Sequence, residues 1–319
     1  MPREERGEPA AWLLSAPVSA TIGSCRVARM AVASTSGPLV TAQLFSVAAG
    51  TVWMVTPRNS VKARVLRRDP RAGVLLRAGR RSVVLQGHVD ILDPLRPEGL
   101  AQLAVAGGGL AIALARYAGR NTDTLAGYAA DLLLSPRLDA LPIDRVLLGF
   151  RVERGMLAGP SGVASSVGGW SGAAASVDRP GGPIEPRLPT LPGEVAPGAA
   201  ALLRERQVAT LGWHGPHGAL ALPAIWDPPT ARAELTAAVI AASHAARSGQ
   251  GCIALDRSPA GRPTRFRGLL LRGPGRLAAI DDGETVACRI ATDRITWWTG
   301  FVTRTAPVSP GEASPARGR

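Results

Sequence analysis

Lysine is almost missing from this chain: Lys+Arg number 37, and Lys62 is the only lysine among them. Cysteine is scarce too, with Cys25, Cys252 and Cys288 far apart and odd in number. They form no metal-type pair, so a reduced, cytoplasmic setting is the simplest expectation. Aromatic residues make up only 4%, too few to interleave with the arginines as a nucleic-acid surface would need. No hydrophobic run spans a bilayer, since the nearest, 100–117, contains Gln102, Arg116 and Gly107-Gly108-Gly109. The first nine residues set Arg3 and Arg6 against Glu4, Glu5 and Glu8, which is not the basic start of a secretory leader. No G-x-G-x-x-G follows a strand, and there is no P-loop or H-E-x-x-H, so the usual nucleotide-sheet and zincin mechanisms have no support.

What is present is an arginine-rich chain of 319 residues with a formal charge of +13 and 46% hydrophobic residues. That length suits two domains of ordinary size with sizeable cores. The arginines are scattered rather than blocked, so the charge reflects composition, and neither nucleic acid nor membrane is expected as a partner. A small-molecule ligand is.

One stretch organises the rest, residues 51–93. Positions 51–56 are β-branched and aromatic, 60–68 carry Val61, Val65 and Leu66 at helical spacing, and 73–77 and 82–92 are strand-like around an Arg77–Arg81 turn. Thr56, Arg58, Ser60, Lys62, Arg64 and Arg67 crowd the joint between first strand and helix. Hydroxyls and cations at a helix N-terminus favour an anion such as phosphate. In a chain that uses arginine almost everywhere, the single ammonium suits a compact point charge on phosphate. Retention on a solvated helix face is the alternative.

The segments GPLVTAQLF at 37–45, VWMVTP, RNSVKARVLRRDPRAGVLL and VVLQGHVDIL resemble the FMN-binding split barrel of the pyridoxamine 5'-phosphate oxidase-like superfamily. The likeness covers about residues 20–95 and extends to 143–158. It implies a flavin, FMN, held by its phosphate at Arg58, Ser60, Lys62 and Arg64 with Arg67 nearby. Val55, Thr56, Pro57 and Gln86 would border the ring. It also implies an oxidoreductase acting on a small molecule, with a deazaflavin coenzyme, haem, or a non-catalytic binding role as alternatives. Members of this superfamily usually hold flavin between two barrels of a homodimer.

The expected fold is mainly β with helical insertions, an α+β arrangement of two tandem split β-barrels. Residues 1–158 form the first, with a short helix at 10–16 and a helical insertion at 97–140 that Gly107–Gly109 should break or kink. Residues 159–198, rich in Gly, Ser and Pro, read as a linker. Residues 199–305 repeat the pattern as a degenerate second barrel, and 306–319 read as a disordered tail. Strand 206–213, a turn at 215–216 and strand 219–226 echo the opening of the first barrel. A helix is expected over 231–246, then strands at 252–255, 265–271, 276–279, 286–290 and 294–302. The copy has no counterpart of TPRNSVKAR, and Asp227-Pro228-Pro229 occupies that region. The chain would then be a monomeric pseudo-dimer, or a homodimer if the internal copy does not satisfy the barrel face.

Lesser features have bland readings. His214 and His217 sit in a hairpin turn without a nearby metal partner. His88 is a strand residue. Asp256, Arg257 and 258–265 read as a solvated polar loop. Trp297 and Trp298 alternate across a strand, so one ring enters the core and the other seals the inter-domain contact, with stacking on a ligand as the alternative.

Overall fold

The computed structural model describes residues 3–4, 8–134, 144–170, 188–257, 265–280, 283–300 and 302–308. A two-residue strand, β1 (Arg3–Glu4), precedes helices α1 (Pro9–Leu13) and α2 (Ala16–Ser24). Two helices thus stand where one short helix was expected at 10–16. Then come β2 (Ala28–Ser34), β3 (Gly37–Gln43), β4 (Phe45–Ala48), β5 (Thr51–Pro57), α3 (Val61–Arg68), β6 (Arg71–Ala78) and β7 (Arg81–Leu92). Helices α4 (Pro97–Arg120) and α5 (Thr122–Leu134) lead to β8 (Arg145–Gly159) and β9 (Gly162–Val167). Helix α4 passes through Gly107–Gly109 without interruption, contrary to the break or kink expected there. Among the described residues no helix is long and apolar enough to cross a membrane.

β3 pairs with β2 and β4 with β5, and only Leu44 separates them. Taken as one bent strand, they complete the circuit β2–β3/β4–β5–β8–β7–β6 and back to β2. The barrel is split at Leu44. Its interior holds Met30, Phe45, Met54, Leu66, Leu76 and Phe150, all at most 2% exposed.

After α6 (Pro197–Ala200), the second unit comprises β10 (Gln207–Gly215), β11 (Gly218–Asp227), β12 (Arg232–Thr236), α7 (Ala237–Ser243), β13 (Ser248–Arg257), β14 (Arg267–Ala279) and β15 (Thr285–Ile290). It ends in the hairpin β16 (Arg294–Thr299) and β17 (Val302–Pro307). Its circuit is β10–β11–β12–β15–β14–β13 and back to β10. Position for position this is the order of the first barrel, with α7 standing where α3 stands. The chain is two tandem barrels.

Three expectations for this half are corrected. The helix read over 231–246 is a strand followed by a short helix, because β12 pairs with both β11 and β15 and this outweighs alanine's helical preference. The two strands placed around Gly273-Pro274-Gly275 are one, β14, held along its length by β13. The closing strand 294–302 is the hairpin β16–β17. The counterpart of TPRNSVKAR also exists after all. It is TAAVIAAS at 236–243, with every cation replaced, while Asp227-Pro228-Pro229 only turns the chain between β11 and β12. In the segment read as a linker, 162–167 forms β9 on the far end of β8, and Trp170 is 2% exposed. Two apolar side chains, Val163 and Val167, were too few to show through the Gly and Ser around them. Residues 171–187, like 309–319 of the expected tail, lie outside the described residues.

The barrels meet reciprocally. β11 packs on β6 and β2, and β3 packs on β13 and β10. Strands at this contact are buried on both faces, so β6, β7 and β11 read as nearly continuous apolar runs rather than alternating ones. The hairpin turn at Gly218 lies against Arg71, and the equivalent turn at Gly37 lies against Gln250. Gln86 donates to the Gly218 carbonyl at 3.3 Å, and at the matching register Arg272 donates to the Ser36 hydroxyl at 3.2 Å. Backbones nearly touch at Gly73, where a Cβ would stand 2.6 Å from the Ala219 oxygen.

Candidate functional site

A cavity of about 1010 Å³ lies between the two units. Its first wall comes from the β2–β3 turn, β3, β5 and α3, with Tyr117 and Tyr128 reaching in from α4 and α5. Its second comes from Phe266, Leu270, Arg272, Thr296, Trp298 and Thr303 of the second unit. The chain has one lysine and two tyrosines, and all three line this space.

Strand parity and helix phase decide which candidates reach it. Along β5, Val52, Met54 and Thr56 point into the barrel core, so Val55 and Pro57 face the cavity. On α3, Val61, Arg64, Val65 and Arg68 share the cavity face, at the i, i+3, i+4, i+7 spacing of one helical stripe. Lys62 sits beside that stripe and is 6% exposed, and its Nζ donates to the Thr41 hydroxyl at 3.2 Å. β5–β8 pairing sets Arg145 opposite Pro57, on the same wall.

The other candidates do different work. Arg58 pairs with Asp93 and, at 2.6 Å, with Asp144, while Arg67 donates to the Arg58 carbonyl and stands 3.6 Å from Asp93. These two arginines are not among the residues lining the cavity and pair with carboxylates instead, unlike the Arg64 expected beside them. Ser60 caps α3, its hydroxyl accepting from the Ala63 amide at 3.2 Å, and Thr56 contacts Ser60 inside the barrel at 3.3 Å. Gln86 is spent on the inter-barrel contact and is not among the residues lining this cavity. The cavity thus meets the flank of α3, not its tip. Arg145, Arg272, Tyr117 and Tyr128 were not expected here, and Arg68 did not stand out from the basic run 64–71 around it. A helical projection of α3 would have found Arg68, but the others depend on remote pairings.

The electrostatics are one-sided. Among the described residues the only carboxylate on the wall is Asp69, and Arg71 grips it through two 2.8 Å hydrogen bonds that hold its pKa low. Among the described residues Lys62, Arg64, Arg68 and Arg145 form no ion pair. Burial, and secondarily the Arg145 guanidinium, push Lys62 down from its ordinary value to about 7. Burial pushes Tyr117 up to about 12, so it remains a phenol. Opposite them, Arg272 is 5% exposed, reaches Ser36 and Thr296, and leaves its Nε without a partner. Trp298 also lies on this wall, flat over Gly268, where any Cβ would collide with the ring at 2.0 Å. Trp297 enters the core as expected, but Trp298 faces the cavity instead of sealing the contact.

The remaining sequence features are ordinary. His88 is held by Glu153 at 2.5 Å on the surface and does not reach the cavity. Among the described residues no histidine, cysteine or carboxylate cluster could hold a metal ion. Asp256 pairs with Arg29 across the two units, 2.9 Å apart, and Arg257 pairs with Glu205, so neither belongs to a solvated loop; 258–264 lie outside the described residues.

No protein-family model and no curated protein matches the chain. Among solved structures it is similar to a conserved hypothetical protein from Mycobacterium tuberculosis, with 26% identity, a TM-score of 0.31 and coverage of 45% of this chain and 82% of that one. It is similar also to a pyridoxamine 5'-phosphate oxidase-related, FMN-binding protein from Nostoc punctiforme, at 14% identity, TM-score 0.33, and 46% and 83% coverage. A third is an FAD-binding protein from Mesorhizobium loti, at 19% identity, TM-score 0.30, and 44% and 91% coverage.

Proposed function

We propose that the chain is a flavin-binding split-barrel protein of the pyridoxamine 5'-phosphate oxidase-like type, taking FMN in the inter-barrel cavity and serving as an oxidoreductase on a small molecule. The observation that carries this is a cavity with unpaired cations on one wall and an exposed-edge tryptophan on the other. At about 1010 Å³ it sits at the upper end of small-molecule sites, about 300–1,000 Å³, which leaves room for a flavin and a second reactant. The buried, unpartnered Arg272 Nε and the pairing of the wall's Asp69 with Arg71 rather than with Lys62 fit an anionic ligand.

Arg64, Arg68 and Arg145 hold the phosphate, and Lys62 joins them once the anion's charge draws a proton onto its amine. Val55 and Pro57 face the ring from the first barrel, and Trp298 walls it from the second. When bound, the flavin supplies hydride transfer, and the protein supplies position, exclusion of water and local charge. The pseudo-dimer is satisfied within one chain, so one flavin binds per monomer. Among the described residues no histidine lines the cavity to offer haem an axial imidazole.

Titration with FMN, followed by its absorption and fluorescence, tests this. Saturable one-to-one binding that weakens in Arg64→Ala and Arg145→Ala supports the site. Absence of saturable binding would overturn it.

A further inference from the structure

Lys62 presents a combination that phosphate binding does not require. It is the chain's only side-chain amine, it is buried at the edge of a large cavity, and its one hydrogen bond runs to the Thr41 hydroxyl rather than to a carboxylate. Arg145 stands on the same wall as a second cation. An amine withdrawn from water beside another positive charge favours its neutral, nucleophilic form. Arg64 and Arg68, without acidic partners among the described residues, flank it and would orient an anionic group.

We propose that Lys62 is a nucleophile that captures a small anionic aldehyde, carboxylate- or phosphate-bearing, as an imine within the inter-barrel cavity. The nitrogen lone pair attacks the carbonyl carbon, and the π electrons move to oxygen. The carbinolamine then loses that oxygen with both amine protons as water, leaving the carbon–nitrogen double bond. No oxidant or reductant is consumed. The depression of the Lys62 pKa to about 7 agrees with this, because about half of the amine is then neutral at pH 7. This inference does not rest on flavin binding.

The single lysine makes the test clean. The full-length protein is incubated at pH 7 with glyoxylate and cyanoborohydride, which reduces any imine to a stable secondary amine, and peptides are mapped by mass spectrometry. Lys62 and the chain's α-amino group are the only amines available. Modification of Lys62 should run on the order of a hundredfold faster in the folded chain than in urea, where a lysine with its ordinary pKa is almost wholly protonated. No modification in the folded chain, or equal rates in both, overturns the proposal. Lys62→Arg keeps the charge and should leave only the α-amino adduct; the same adduct count as wild type would overturn it. Joint Arg64→Ala and Arg68→Ala substitution should slow glyoxylate more than neutral propionaldehyde. Equal slowing would refute the preference for anions.

Discussion

The two barrels share a strand circuit and differ in their grooves. Beside α3 the groove is open and edged with Lys62, Arg64, Arg68 and Arg145. Beside α7, where the sequence is TAAVIAAS, the matching groove is filled: β9 packs on the helix, a Cβ at Gly162 would stand 3.3 Å from the Ala238 methyl, and Trp170, Met156 and Ala158 join the second barrel's core. The shared circuit therefore offers two equivalent positions, of which one holds charge and space and the other holds apolar packing. The same backbone serves as a site or as a seal, according to a handful of side chains.

The sharpest way to break this contrast is Trp170→Ala. If the closed groove is structural, the substitution should cost about 3–5 kcal/mol in urea unfolding and leave FMN affinity unchanged. Loss of binding at intact stability would mean that the closed groove is also a site. Arg58→Ala comes next. It leaves Asp93, 4% exposed, with the Leu95 amide and the more distant Arg67 and Arg96, so a loss of about 2–3 kcal/mol in stability is expected with FMN affinity within about twofold. A strong drop in affinity instead would return Arg58 to the phosphate site.

Lys62→Ala sharpens the contrast on the open side. Removing one charged contact should weaken FMN by about 1.5–3 kcal/mol, roughly 10- to 150-fold in the dissociation constant. Unaltered affinity would place the phosphate elsewhere. The smallest effect is that of pH. Free Lys62 titrates near 7 and a bound anion raises that value, so binding takes up a proton and affinity falls as pH rises through 7. Relative to Lys62→Arg, wild-type affinity should drop by about tenfold between pH 6 and pH 8. Asp69 is held low and Tyr117 lies near 12, so neither changes charge in that window. A flat ratio would show that Lys62 does not titrate in the site.

Much of this contrast was legible in the residues. The run 51–93 declared its strands and helix because local pattern and final contacts agree there. The echo in the second half was visible in 206–226, where turn chemistry repeats. Legibility failed where remote partners decide. The cations of 56–67 look equivalent in sequence, yet Asp93 and Asp144 claim Arg58, and the 3.6-residue period turns Arg67 away while bringing Arg68 in. Alanines at 231–246 speak for helix until β11 and β15 claim Arg232–Thr236 as a strand. Gln86 reads as a polar strand residue near a ligand, but its partner is the Gly218 carbonyl, 132 residues away in sequence.

Both walls of the cavity belong to one polypeptide, and this gives the site a property that a two-chain dimer lacks. In a dimer each half-site faces a partner at the concentration of free subunits, and dilution empties it. Here the facing barrel is tethered, so its effective concentration is fixed by the chain. Ligand affinity should then be the same at nanomolar and micromolar protein. The Trp298 wall can leave the Lys62 wall only through a unimolecular opening of the fold.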